Sequence, residues 1–316
     1  MEKIRVGVVG VGYFGQFHAG KYAGMEKAEL VGVVDVDSSR AREVAQKNRT
    51  HPCFHHSDLF GRVQAVSIAV PTPLHYSIAK DFLLHGIDVL LEKPIAPSLR
   101  ESNELIELAE GKGLILQVGH LERFNGALQV LDGLVRNPCF IESHRLSPFP
   151  GRETDISVVL DLMVHDIDII LSLVNSEVKQ THAVGIPVLT SHLDMANARI
   201  VFENGCTANL TVSRVSAEKI RKTRIFEPDG TLLIDYLAQT VTFSRKRIPA
   251  DKERPPEMMT EVIPVKKVDL LEAEIDSFLQ SVRDRQKARV SGWDGKRALE
   301  LALRIVHQIE KKRKID

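Results

Sequence analysis

IRVGVVGVGYFG, residues 4–15, decides the fold. An aliphatic run ends at Gly10, and Gly10, Gly12 and Gly15 then follow with G-x-G-x-x-G spacing, ahead of a helical pattern near 14–23. In a strand–turn–helix, the first glycine permits a tight turn and the second lets a pyrophosphate approach the backbone. The third allows close packing of the helix on the strand. The unpaired N–H groups of that helix start favour phosphate. Tyr13 and Phe14 fill the variable positions and join the candidate dinucleotide contacts.

Working outward, LVGVVDV (30–36), AVSIAVP (65–71), DVLLEKP (88–94) and LILQVGH (114–120) are further strand candidates. Helical patterns lie between them near 39–47, 74–85 and 98–111. Strands apolar on both faces and separated by helices indicate a parallel sheet covered on both sides. The second strand carries Asp35, 20 residues after Gly15, where a carboxylate accepts from a ribose 2′-hydroxyl. A 2′-phosphate would be repelled there, so NAD is favoured over NADP, with Arg40 near enough to keep NADP open.

Two more strand ends carry chemistry. AVPTPLH brings Pro71, Thr72 and His75 to the carboxyl edge, where ligands of such sheets sit; His75 can equally cap and pack. LLEKP places Glu92 and Lys93 before Pro94, which favours an extended Lys93. A partly desolvated lysine can stabilise a developing alkoxide. A plain loop ion pair is the simpler alternative.

The chain has 316 residues, 43% hydrophobic and 27% charged, with 42 basic and 42 acidic side chains. This is a soluble, two-domain composition with no electrostatic signature of nucleic acid or membrane. The basic KKRK at 311–314 reads as a solvated helix end. Cys53, Cys139 and Cys206 form no CxxC pair; neither a disulfide framework nor a metal site is expected, and a reducing compartment fits. With neither a signal peptide nor a membrane span recognisable, a cytoplasmic location is expected.

The grammar changes after residue 121, so we expect a Rossmann-type α/β domain over 1–121 and an α+β domain over 122–316. The second would hold a helix near 126–136, a strand at 140–147 and hairpins turning on Asn204-Gly205 and Asp229-Gly230. A strand near TVTFSRKR, a Pro-rich loop and helices near 269–285 and 294–312 complete it. Its most telling segment is VVLDLMVHDIDIIL, 158–171. On a regular helix Asp161, His165 and Asp168 fall within an arc of about 60°, and such a stripe is costly to bury without purpose. A polar network tying helix to sheet would explain it too, and suits Asp166 and Asp168 best.

Together GVGYFG, VPTPLH, EKP and D-x-x-x-H resemble the Gfo/Idh/MocA oxidoreductases over essentially the whole chain. The resemblance implies a Rossmann domain, then a large, mostly antiparallel open sheet that often makes subunit contacts, here a homodimer or homotetramer. It implies hydride transfer between a nicotinamide cofactor and a sugar or polyol carbon. Position by position it assigns Lys93 to substrate and cofactor hydroxyls and Asp161 with His165 to acid–base chemistry. Gly10, Gly12, Gly15, Asp35, Pro71, His75 and Glu92 fall on the cofactor side. The stripe would then face nicotinamide and substrate. His120, in GHLERFN, stands where a Tyr is expected, a departure that weakens copying a polyol substrate.

HLERFN, HRLSPFPGR (144–152) and the acid–base helix also resemble bacterial nucleotide-sugar 3-dehydrogenases of that family. Arg123, Asn125, Arg145 and Arg152, with His120, are the expected substrate contacts; Arg214, Lys219 and Arg221 follow as further cations. Arg suits a diphosphate handle through bidentate bonds. The expected activity is NAD-dependent oxidation at C3 of a UDP-N-acetylhexosamine, towards a 3-amino sugar. A free polyol such as inositol is the first alternative, and a non-catalytic, cofactor-bound sugar sensor is the second.

Overall fold

The computed structural model describes residues 2–149, 151, 156–249 and 255–313. The chain divides into two compact units, Met1–Leu121 with Asp269–Arg297, and Glu122–Val268 with Ala298–Asp316.

The first unit is a parallel sheet of β1 (Ile4–Val9), β2 (Ala28–Val34), β3 (His51–Cys53), β4 (Ala65–Ile68), β5 (Asp88–Glu92) and β6 (Leu116–Gly119). Their order is β3-β2-β1-β4-β5-β6, which reverses between β1 and β4 and so opens a ligand crevice at the carboxyl edge. Helices α1 (Gly15–Gly24), α2 (Ser38–Lys47), α3 (His75–Leu84) and α4 (Leu99–Gly111) fill the connections. Five strands were legible in the sequence. The sixth, β3, is three residues long with a proline at the sheet edge, too short to show a period.

Residues 269–297 were expected in the second domain and pack instead with the first. Helix α7 (Leu270–Asp284) puts Leu271, Ile275, Phe278 and Leu279 into one core with Ile4, Ala19 and Tyr22. Ion pairs Lys21–Asp269 (2.7 Å), Lys27–Asp276 (2.5 Å) and Arg285–Asp88 (2.6 Å) flank that core. The helix carries a period of its own, but nothing in its sequence states which sheet it covers.

The second unit is an eight-stranded sheet: β7 (Phe140–Leu146), β8 (Val178–Ile186), β9 (Met195–Phe202), β10 (Thr207–Ser213), β11 (Ile220–Glu227), β12 (Gly230–Asp235), β13 (Thr240–Arg247) and β14 (Glu257–Ile263). In the order β14-β13-β12-β11-β7-β10-β9-β8, only β7 and β10 pair in parallel. Both expected hairpins form, and Gly205 takes the left-handed φ of 88° that its turn requires. One sheet face packs against α6 (Val164–Leu173) and the later turns of α8 (Gly292–Arg313), with Ile167 and Ile170 sharing a core with Ala302 and Ile305.

Two local expectations change. The helix expected over 126–136 is α5, Gly126–Gln129 alone, followed by turns with Gly133 at φ 76°. The stretch 158–171 does not start as an α-helix: Val159–Met163 is a π-helical turn, and α6 begins after it. No described helix is long and apolar enough to cross a membrane.

Candidate functional site

The glycine turn has the shape a pyrophosphate needs. Gly10 has φ 81°, and a Cβ on it would lie 2.7 Å from the Ala69 carbonyl oxygen. A Cβ on Gly15 would fall 1.8 Å from the Gly10 oxygen, so only glycine lets α1 start here. Around Gly12 the same test meets nothing within 4 Å, leaving its backbone open to a ligand. A cleft of about 430 Å³ adjoins it, lined by Val11, Gly12, Tyr13, Gln16, Arg40, Glu43 and Val44. Tyr13 is half exposed and packs edge-on to Phe17, while Phe14 packs edge-on to His18.

Asp35 directly follows β2 as a buried carboxylate. It accepts from the backbone N–H of Val11 (3.0 Å) and Asp37 (2.9 Å). The Arg40 guanidinium lies 3.3 Å from both Asp35 and Asp37. Two carboxylates therefore claim the one arginine that kept NADP open. Room at Gly12, an acceptor at Asp35 and this charge balance fit NAD.

Pro71 precedes a 3-10 turn, Thr72–Leu74, that leads into α3. His75 is buried, with Nδ1 2.8 Å from the Pro94 oxygen and Nε2 2.9 Å from the Val70 oxygen. Burial pushes its pKa down although both carbonyls favour the charged ring. The expected cofactor contact is thus a strut between the ends of β4 and β5, its ring nitrogens already engaged. Lys93 is half-buried and precedes Pro94 through a cis peptide bond. His120 is buried just beyond β6.

Among the described residues Glu92 pairs with His18 and not with a loop cation. Its carboxylate turns inward and accepts from His18 Nε2 at 3.1 Å. A Cβ on Gly119 of β6 would stand 2.8 Å from both carboxylate oxygens, so the glycine leaves room for them. Buried Glu274 of α7 completes a group with buried His18 and half-buried Glu92, their polar atoms all within 4.8 Å of one another. Sequence reading missed Glu274, though it lies between Leu271, Ile275 and Phe278 on an apolar stripe, the same signal that marked 158–171.

In the second unit, the π turn widens the helix where Asp161 sits, and His165 follows in the first turn of α6. Such bulges occur often at functional sites. The burial of the four polar residues differs: Asp161 and His165 are half-buried, whereas Asp166 and Asp168 are buried. Asp168 leaves the expected stripe by pairing with Arg123 at 3.3 Å.

Asp166 anchors a network that overturns part of the substrate reading. Arg145, on the inward face of β7, gives Asp166 a bidentate pair (Nε–Oδ2 3.0 Å, Nη2–Oδ1 2.9 Å) and Glu122 a third bond at 3.0 Å. Burial opposes its charge, but Asp166 and Glu122 outweigh burial and push its pKa up. A phosphate could reach Arg145 only by displacing both carboxylates. Asn125 is likewise committed: it caps α5 through Ala127 N–H and donates to Glu122 and the Tyr236 carbonyl.

Arg214 is fully buried and bonds Asp194 at 2.8 Å. Desolvation would raise the Asp194 carboxyl, but the N–H groups of Thr190, Val188 and Leu189 with Arg214 hold it well below the usual range. Arg221, partly exposed, bonds Glu122 at 3.2 Å, and Lys219 is exposed. Arg152 lies outside the described residues.

The profile described as "Oxidoreductase family, NAD-binding Rossmann fold" matches residues 4–120, and "GFO/IDH/MocA C-terminal domain" matches 140–233. The chain is 36% identical over 314 residues to the UDP-N-acetylglucosamine 3-dehydrogenase of Acidithiobacillus ferrooxidans, covering 98% of each chain. It superposes on a solved structure of an enzyme so named from that organism with a TM-score of 0.93, over 98% of this chain and 99% of that one. The myo-inositol 2-dehydrogenase of Thermotoga maritima is more distant, 24% identical over 99% of this chain and 98% of its own. A glycine turn shaped for NAD, EKP after β5, a D-x-x-x-H helix and kinship along the whole chain agree: this protein belongs to the Gfo/Idh/MocA family of NAD-dependent oxidoreductases.

Proposed function

We propose that the protein oxidises the C3 hydroxyl of a UDP-linked N-acetylhexosamine, producing a 3-keto sugar suited to amination. The observation that carries this reading is the 36% identity to the A. ferrooxidans enzyme, which spans both units. Bound NAD supplies a hydride acceptor. His165, half-buried at the start of α6, takes the hydroxyl proton as hydride leaves the same carbon, so one C–H and one O–H bond break as the C=O bond forms. Asp161, one turn earlier, orients the imidazole and stabilises its charged form. Lys93 stabilises the alkoxide-like oxygen.

The diphosphate handle cannot rest on Arg145, whose donors face Asp166 and Glu122. Arg221 and Arg152 remain the cationic contacts of this proposal. The internal pairing of Arg123 and Arg145 is the one observation that favours a free polyol, which needs no anion site.

We also infer a homodimer or homotetramer in the cytoplasm. Exposed Met258, Met259 and Val262 on β14, an edge strand, support self-association. Three cysteines without a disulfide suit a reducing compartment.

The mechanism is tested by His165→Ala. It should cut kcat about 100- to 10,000-fold while NADH binding and Tm stay near wild type. Near-normal turnover would remove His165 from the chemistry.

A further inference from the structure

The group formed by His18, Glu92 and Glu274 does not balance its own charge. Glu274 is fully buried on the apolar stripe of α7, and neither of its oxygens has a hydrogen-bond partner among the described residues. The other nitrogen of His18, Nδ1, is also buried and has no partner among the described residues. Two ionised carboxylates so close in an apolar interior are costly, and one proton between them relieves the cost. A metal ion would find one ring nitrogen and two carboxylates here. Zinc usually takes four ligands and harder cations six or more, whereas a proton needs only two oxygens.

We propose that Glu274 is a positioning residue of the cofactor edge: its carboxyl stays protonated and hydrogen-bonds Glu92, directly or through one water, fixing the residue that precedes Lys93. The chain of constraints is short. His18 on α1 and Gly119 on β6 place the Glu92 carboxylate, and Lys93 follows it. Burial, then the Glu92 charge, push the Glu274 pKa well above the usual carboxylate range. The titratable groups facing Glu274 are Glu92 from β5 and His18 and Tyr22 from α1. Gln117 of β6 donates to the Glu274 backbone carbonyl at 3.2 Å and adds no charge. Loss of the proton at alkaline pH would set two anions against each other and release Glu92. The positioning role rests on the NAD reading of this edge; the shared proton does not.

The test uses the full-length chain. Infrared spectra near neutral pH should show the carbonyl band of a buried protonated carboxyl, lost in Glu274→Gln. NADH titration should give Glu274→Gln an affinity within about twofold of wild type and Glu274→Ala one about tenfold weaker, as for one lost hydrogen bond. Wild-type NADH affinity should fall on the alkaline side, and that of Glu274→Gln should stay flat, a readout that does not require the alanine variant to fold. No such band, a band that survives Glu274→Gln, or one equivalent of tightly bound divalent metal would overturn the proposal. So would unchanged NADH binding by a folded Glu274→Ala. A wild type that shows the band yet binds no NADH would overturn the positioning role together with the cofactor reading.

Discussion

Each unit buries an ionic cluster, and the two clusters treat charge in opposite ways. In the second unit Arg145 and Arg221 meet Asp166 and Glu122, two cations against two anions, and Asn125 takes up the remaining Glu122 oxygen. In the first unit two glutamates lie beside one imidazole, which bonds Glu92, and the Glu274 oxygens have no partner among the described residues. Arg145, enclosed by its two carboxylates, has nothing left to offer a ligand and acts as a joint, while Arg221 at the rim of the network stays partly exposed. An open cluster must hold a proton, and its state depends on solution conditions. Counting charges in a buried cluster therefore separates scaffold from responsive element better than residue type does. Arginine, read in the sequence as a phosphate contact, is engaged internally at 145 and 214, where carboxylates of α6 and of turns claim it.

The comparison breaks most visibly at its strongest joint. Arg145→Met leaves Asp166 buried without its cation and Glu122 with Arg221 alone, and should cost about 3–5 kcal/mol, read by urea denaturation. Glu274→Gln, which keeps the neutral form, should cost less than about 1 kcal/mol. Equal losses would mean that both clusters are charged joints.

Next is Asp194, which accepts from three backbone N–H groups and Arg214. Asp194→Asn should cost about 2–3 kcal/mol through weakened charge-assisted bonds and an amide that cannot accept at both ends. Little change would show that the backbone turn holds itself.

The pH responses should run in opposite directions. Asp194 has a depressed folded pKa, so its stabilisation is present above the unfolded value and lost as pH falls through the folded one. Glu274 has a raised folded pKa, so its contribution is full below the unfolded value and lost as pH rises through the folded one. Hydrogen exchange across pH should therefore loosen 188–190 in acid and α1 and α7 in alkali. The same direction in both regions would contradict the opposed charge balance.

The smallest effect belongs to a cap. Asp269 accepts from Glu272 N–H at the start of α7, and its carboxylate also meets Lys21. Asp269→Ala should cost about 1 kcal/mol, seen as a small fall in Tm with unchanged NADH affinity.

Much of this was legible in the sequence, for definite reasons. The Rossmann strands show because each is apolar on both faces and punctuated by Gly or Pro. Gly10 and Gly15 show because a side chain there would strike backbone. The hairpin at Gly205 shows because its turn demands a left-handed glycine, and that at Asp229-Gly230 because the pair is a common turn signal, Gly230 itself lying where a Cβ would stand 2.8 Å from the Ser244 oxygen. The destination of α7 was hidden, since an amphipathic helix states that it has a buried face but not against which sheet. The partners of Arg145, Asn125 and Asp168 were hidden for a similar reason. A buried ion pair joins residues 21 apart, as in Arg145–Asp166, or 45 apart, as in Arg123–Asp168, and no local period links them. The π turn at 159–163 also escaped, because its composition matches that of an ordinary buried helix.

The central claim is the substrate, and one assay addresses it most directly: NADH formation with UDP-N-acetylglucosamine, its uronic acid, free N-acetylglucosamine and myo-inositol, with a carbonyl trap to draw the ketone forward. The account predicts turnover with a UDP sugar and none with the free sugar or inositol. Turnover with inositol or free N-acetylglucosamine, and none with either UDP sugar, would contradict it and leave only the hydride chemistry standing.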